Sequence, residues 1–326
     1  MSRSDRSPHA GQGSELTSVR RWFDSYAAGE APIEGAGQHN IDWIRAIPFV
    51  LMHLSLFSVL VVGWSPAALL VAVALYLLRM FAITGFYHRY FSHKAFKTSR
   101  TMQLVGAVMG ASAVQRGPLW WAAHHRVHHA TSDREGDEHS PRLHGFLWSH
   151  MGWFLSKQNF ATRNKMVKDF FRYPELRFLD RFDVVVPLLL AISLYIFGEA
   201  LNHYWPALAT NGWQMVVWGF VISTVVLYHV TFATNSVAHS FGSRSYPVRD
   251  DSRNNALLAI LTLGEGWHNN HHAYPHAARQ GHRWWQIDIT YYLLRLMQAL
   301  GLIWDIRDVP QRLLDQRGHD RLGAVQ

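Results

Sequence analysis

The chain has 326 residues, 49% hydrophobic and only 17% charged, so it can bury one large core or two small ones. It contains no cysteine, which excludes disulfide staples, thiolate metal sites and cysteine nucleophiles; any metal must be held through nitrogen or oxygen. The net charge of +8 leaves nucleic acid, an anionic membrane face or an acidic partner open until the charge is located, and the 21 His are an excess that needs a cause.

Residues 1–40 are polar and rich in Gly, Ser and Ala, with no apolar run behind the early basic residues, and read as a flexible tail without a signal peptide. Spans are predicted at about 47–63 and 66–87, joined by the turn sequence "GWSP"; the first is short against the ~20 residues a helix needs to cross a bilayer. A second pair is predicted at about 184–203 and 213–235. The aromatic load of 14 Trp, 18 Phe and 12 Tyr suits the two interfaces of such a bundle.

With four spans, every Lys and Arg except Arg79 falls on one side of the membrane. The positive-inside rule makes that side, with both termini, cytoplasmic; in a bacterium the membrane would be the inner one. The basic charge is then explained without nucleic acid. A fifth apolar stretch, 284–304, carries Asp288, Arg295 and Gln298 along one helical face, and a fifth span would export Arg307, Arg312, Arg317 and Arg321. It is read as an interfacial or core-packing helix. The expected fold class is an all-α membrane protein: a domain over 41–305 with four transmembrane helices, a cytoplasmic helical cap from 88–183 and 236–305 holding a two-metal site, and a polar tail at 306–326.

The dense histidine clusters all lie in or beside that cap: "HRYFSH" at 88–93, "HRVHH" at 125–129, "NSVAH" at 235–239 and "HNNHH" at 268–272. On a helix, positions i, i+3 and i+4 share a face, so His125, His128 and His129 are expected to converge on one ion, as are His268, His271 and His272. Adding His88, His93 and His239 makes nine candidate ligands, too many for one tetrahedral zinc and suited to two metals with open positions. Lone histidines such as His53, His203 and His229 read instead as hydrogen-bonded packing residues. Of the nearby carboxylates, Asp137 and Glu265 are expected to orient ligand rings, with Asp133 and Glu138 as further candidates. No H-E-x-x-H, Ser-His-Asp order, phosphate-binding loop or G-x-G-x-x-G is present, so zinc hydrolysis and hydride transfer from a bound dinucleotide have no support.

The motifs "GFYHRYFSHKAFK", "HHRVHH" followed by "SDREGDEHSP", "NSVAH" and "GEGWHNNHHAYPH", in this order, resemble those of the membrane fatty acid desaturases of the stearoyl-CoA desaturase (Delta-9 acyl desaturase) type. The resemblance covers residues 40–305. It implies metal ligation by His88, His93, His125, His128, His129, His239, His268, His271 and His272, with Asn235 reaching a metal through water. It further implies two ferrous irons, O2 as co-substrate, a kinked acyl tunnel for which Trp120, Trp121 and Trp267, beside the clusters, are the candidate lining, and insertion of a cis double bond, expected at the 9 position. Zinc is expected to replace iron in purified protein, since imidazole sites favour it at equal supply.

Animal relatives place Arg-Asp before the second histidine box, where this chain has Ala123 and His124, so the acyl carrier stays open between CoA and a membrane lipid. Lys157, with Arg163, Lys165 and Lys168, is the candidate headgroup surface. About 20 residues follow 305, too few for a fused haem domain. A separate electron donor, ferredoxin-like or a small haem protein with its reductase, is therefore expected. A related iron hydroxylase, a metal transporter and a lipid-binding scaffold are the rival readings. Transport sites would lie at bilayer depth, and a scaffold has no use for nine imidazoles.

Overall fold

The computed structural model describes residues 20–27, 39–310 and 314. The predicted tails lie largely outside them. Residues 20–27, within the expected N-terminal tail, are folded against the rest: Asp24 is buried, paired with Arg181, and Ser25 Oγ donates to Asp183.

Among the described residues four helices are long and apolar enough to cross a membrane: α1 (Trp43–Val62), α2 (Pro66–Ser92), and, further along the chain, Val185–Tyr204 and Gly212–Ser236. The turn between α1 and α2 follows from its residues. Gly63 adopts φ 64°, a left-handed conformation suited to ending a helix, and its N–H closes on Val59 O. Ser65 Oγ then accepts from Ala68 N, and Pro66 takes the first helical position.

Next come a two-residue strand β1 (Lys97–Thr98) and the helices α3 (Arg100–Ala111), α4 (Pro118–Thr131) and α5 (Pro174–Arg181). The second pair of long helices is α6 (Val185–Tyr204) and α7 (Gly212–Ser236). Towards the C-terminus the helices α8 (Ala256–Leu261), α9 (His268–Ala273) and α10 (Ile289–Ala299) are short, and β2 (Ile303–Trp304) pairs antiparallel with β1. At 11 residues α10 is too short to cross a bilayer.

The second and fourth spans, α2 and α7, pack together at the centre, with α6 against α7. The first span is peripheral, and Leu60 and Val61 at its end are 80% and 87% exposed. Such an apolar surface is stable only against lipid or another apolar body. Arg79, in the middle of α2, is fully buried: Nη1 donates to Thr224 Oγ1 and Ser112 O, Nη2 to Ser223 Oγ, and Nε to Leu75 O. Hydroxyls and carbonyls satisfy it in place of a carboxylate.

The main core lies where α2 leaves the bundle and meets α3 and α4. Residues Ala82–Ser92 are wound as a π-helix, with i→i+5 hydrogen bonds. The α3 glycines admit the rings of this stretch. A Cβ at Gly106 would lie 2.0 Å from Phe86 and one at Gly110 would lie 2.1 Å from Tyr87.

Candidate metal centre

The π winding decides the geometry of the first histidine pair. On an α-helix, residues five apart point about 140° away from each other. With i→i+5 bonding, His93 N meets His88 O at 3.2 Å, and the two Nε2 atoms come to 3.1 Å.

The nine candidate histidines form two sets. His88, His93, His125, His129 and His271 make one; His128, His239, His268 and His272 make the other. The expectation that each H-x-x-H-H box grips one ion is corrected here. Both boxes divide, because positions i and i+4 diverge by only about 40° whereas i+3 lies about 60° to the other side. His125 and His129 therefore serve the first set while His128 turns to the second; His268 and His272 serve the second while His271 crosses to the first.

Within the sets, neighbouring Nε2 atoms are 2.8 to 3.1 Å apart: His93 to His125 is 2.8 Å, His271 to His129 is 2.9 Å, and His268 lies 3.0 Å from His272 and 3.1 Å from His239. Four of the rings are held from behind through Nδ1. His88 meets Glu265 at 2.5 Å, His128 meets Asp137 at 3.1 Å, His239 meets Asp133 at 2.8 Å and His272 meets Asp250 at 2.9 Å. A carboxylate on Nδ1 keeps the proton there, leaving the Nε2 lone pair facing inward. Lone pairs facing one another at 3 Å repel unless a cation lies between them. The spacing equals the edge of a coordination shell with metal–nitrogen distances of about 2.1 Å. His128 Nε2 is buried without a hydrogen-bond partner, as a ligand atom would be. The residues fit two metal ions bound through imidazole.

For six of the nine rings electrostatics favour the same state. Burial, then the charge of neighbouring imidazoles, holds His93, His125, His129, His268 and His271 well below the usual histidine range. His272 falls to about 4, mainly through burial. His128 is raised: burial opposes its charge, but the Asp137 carboxylate outweighs it. Asp133, Asp137, Asp250 and Glu265 are all lowered, burial being overcome by the histidines they face.

The acidic loop after α4 supplies two of these carboxylates. Asp133 sits at φ 56° and Gly136 at φ 94°, folding "SDREGDEH" back so that Asp133 N donates to Asp137 Oδ2. Asp250, from the segment before α8, has no sequence signal linking it to His272. Gln280, also unforeseen, donates to Glu265 at 3.0 Å. His139 stacks on His128 at 4.3 Å and groups with Asp137. Glu138 pairs with His124 and Arg163 instead of with a member of either set.

A cavity of about 450 Å³, mostly apolar in lining, is walled by the four spans, and reaches His88, His125 and His268. Trp120, Trp121 and Asn235 line it, and Trp121 stacks on His125 at 5.0 Å. One expectation is corrected. Trp267 is not part of the wall; its indole donates to Ile287 O and meets Trp285 edge-on, a packing role. Lys157 is exposed on the surface, and the cations that line the cavity are Arg21, Arg45 and Arg116.

Residues 63–304 match the family model for fatty acid desaturase. The chain belongs to that family. An sn-1 stearoyl-lipid 9-desaturase of Anabaena variabilis is 35% identical over 271 residues, covering 82% of this chain and 94% of the relative. A chloroplastic palmitoyl-monogalactosyldiacylglycerol delta-7 desaturase of Arabidopsis thaliana is 38% identical over 83% of this chain and 70% of its own. An acyl-CoA 5-desaturase of Anemone leveillei is 33% identical over 87% and 88%. These desaturase relatives differ in carrier and in position, so family membership fixes neither.

Proposed function

We propose that this chain is an O2-dependent acyl desaturase, which places a cis double bond at the 9 position of a saturated chain linked to CoA or to a membrane lipid. The observation that carries the reading is the pair of polyimidazole sets on the wall of a long apolar cavity. An unactivated methylene has neither an acidic proton nor a leaving group, so no side chain here can attack it. Two bound irons supply the missing chemistry, coupling the loss of two hydrogens from adjacent carbons, with two outside electrons and two protons, to reduction of O2 to two waters.

The protein's own residues prepare and position. Asp133, Asp137, Asp250 and Glu265 hold protons on Nδ1 and turn the Nε2 atoms inward. In the second set Asn235, on the cavity wall, is assigned the water-mediated contact. The apolar wall, with Trp120 and Trp121, excludes bulk water and holds one C–C bond against the sets, where a displacement of about 1 Å can cost a hundredfold in rate. A separate donor, ferredoxin-like or a small haem protein with its reductase, is assigned the delivery of electrons. The one-sided distribution of Lys and Arg supports a cytoplasmic active site and termini.

The test is lipid profiling by gas chromatography of a host expressing the chain or its His271→Ala variant, with double bonds mapped and metal measured on both proteins. The expected result is a cis-9 product from the unaltered chain and none from the variant, which still inserts. Equal product from the variant, or an alcohol in place of the alkene, would overturn the reading.

A further inference from the structure

The turn between α3 and α4 is held in a conformation that its residues do not favour. Val114 and Arg116 have φ of 60° and 70°. In that left-handed region a side chain crowds the following carbonyl, and a β-branched residue such as Val is the worst placed. Glycine would take both positions freely. Strain of this kind persists only where the surroundings over-determine it.

Three long side chains do so here, each by donating to a backbone carbonyl of the turn. Arg79 Nη1 donates to Ser112 O at 3.3 Å, Tyr228 OH to Val114 O at 2.8 Å and Tyr87 OH to Arg116 O at 3.2 Å. All three donors are buried. At the end of the turn, Gly117 is seated against α5, where a Cβ would lie 2.3 Å from the Asp180 Cα. A turn that only joined α3 to α4 would be relieved by glycine at 114 and could leave its carbonyls to water.

The donors belong to the spans that lead to the histidine sets. Arg79 and Tyr87 lie on α2, and the residue after Tyr87 is His88 of the first set. Tyr228 lies on α7, which runs on to Asn235 and ends three residues before His239 of the second. On the turn itself, Val114, Gln115 and Arg116 line the cavity. The helices that lead to the ligands therefore also hold this piece of cavity wall, and the wall cannot shift without breaking a bond to one of them.

We propose that Arg79, Tyr87 and Tyr228 are positioning residues: by clamping the strained turn 112–116 they fix the register of the acyl chain, and so the pair of carbons that faces the histidines. The inference rests on the desaturase reading and deepens it. Each donor acts through the turn, and the strain is the cost of a wall that does not give.

The experiment uses the full-length chain and four variants, each supplied with a saturated acyl-CoA and, separately, a saturated glycerolipid. Double-bond position, Tm, bound metal and amide hydrogen exchange over 112–117 are read. Val114→Ala and Val114→Gly remove nearly the same side-chain bulk, but only glycine frees the backbone. Val114→Ala is expected to keep one product position. Val114→Gly is expected to melt no lower than Val114→Ala and yet to spread its products over neighbouring positions. Tyr228→Phe and Tyr87→Phe, which lose only a hydroxyl, are expected to raise neighbouring-position isomers about fivefold. They are also expected to speed exchange at 112–117 with bound metal unchanged, and either one decides the matter if the other does not accumulate. Equal product distributions from the two Val114 variants would overturn the proposal. Faster exchange in the tyrosine variants with an unaltered product would overturn it as well, leaving the clamp a merely structural role. An unaltered chain that forms no double bond refutes the desaturase reading instead; exchange then tests the clamp by itself, and unchanged exchange in Tyr228→Phe would sink that too.

Discussion

His239 Nδ1 lies 2.8 Å from Asp133 Oδ2, although 106 residues separate them, and both side chains are almost completely buried. The same carboxylate accepts from Asp251 N, so one residue of the acidic loop fixes a ring at the end of the fourth span and the segment that carries Asp250.

That relationship makes the two metal sets separable. Asp133→Asn is expected to weaken metal binding about 10–100-fold in the set containing His239 and leave the set containing His88 intact. Glu265→Gln, which acts on His88, is expected to do the reverse. Chelator competition followed by metal analysis checks this: each variant loses one equivalent early and the second at the unaltered concentration. Loss of both equivalents together in either variant would contradict it.

Asp180 gives a pH dependence of defined sign. It accepts from Thr162 Oγ1, Trp120 N and Tyr26 OH, and burial pushes its carboxyl from 3.8 up to about 6. The folded chain therefore holds a proton that the unfolded chain releases, and the stability this confers is present below about pH 4 and lost as pH rises toward 6. The buried carboxylates at the histidines have lowered values and act in the opposite direction. Asp180→Asn is expected to gain about 2–3 kcal/mol on the unaltered protein between pH 4 and pH 7. Unfolding curves in detergent at the two pH values measure the gain, and an equal difference at both would refute it.

Arg89 is buried between Asp288 Oδ1 at 2.9 Å, Glu265 Oε1 at 3.3 Å and Ala278 O at 2.7 Å. Removing one partner of a buried pair leaves a charge uncompensated, so Asp288→Ala is expected to cost about 3–5 kcal/mol. An Arg89→Met, Asp288→Leu double variant is expected to recover part of that loss, and the double-mutant cycle by denaturant unfolding reads the coupling.

Gly110→Ala tests the packing of α3 on the π-helical stretch. The added methyl meets the Tyr87 ring, whose hydroxyl donates to Arg116 O. The expected cost is about 1–3 kcal/mol, seen as a lower Tm.

Trp121 and Trp267 are expected to respond differently. Trp267→Phe removes a hydrogen bond to Ile287 O and is expected to cost about 1 kcal/mol with an unchanged product profile. Trp121→Ala opens the cavity beside His125 and is expected to alter the chain lengths accepted. Product analysis of both variants with a series of acyl chains decides the matter.

The four spans were legible because lipid demands long apolar runs, and "GWSP" marks their turn through Gly63 and Ser65. The nine histidines stood out through spacing alone. Their division was not legible: a heptad-style view puts i, i+3 and i+4 on one face, and only the facing elements show that His128 and His271 change sides. Asp250 and Gln280 were hidden because they reach the site from irregular segments, where no periodicity aligns a residue with its partner. Trp267 was misassigned because adjacency to His268 in the chain says nothing about which way an indole turns. Arg45 and Arg116 are separated by 71 positions, and only the ring of Phe160 brings them together.

The five-residue spacing of His88 and His93 ties the pitch of the second span to the imidazole set it serves. With no cation between those rings, residues 82–92 would lose a reason to keep the wide turn, and ordinary α winding, with its better backbone bonds, would become competitive. Because α3 and α4 rest on that stretch, rewinding it would shift their footing and reshape the cavity wall.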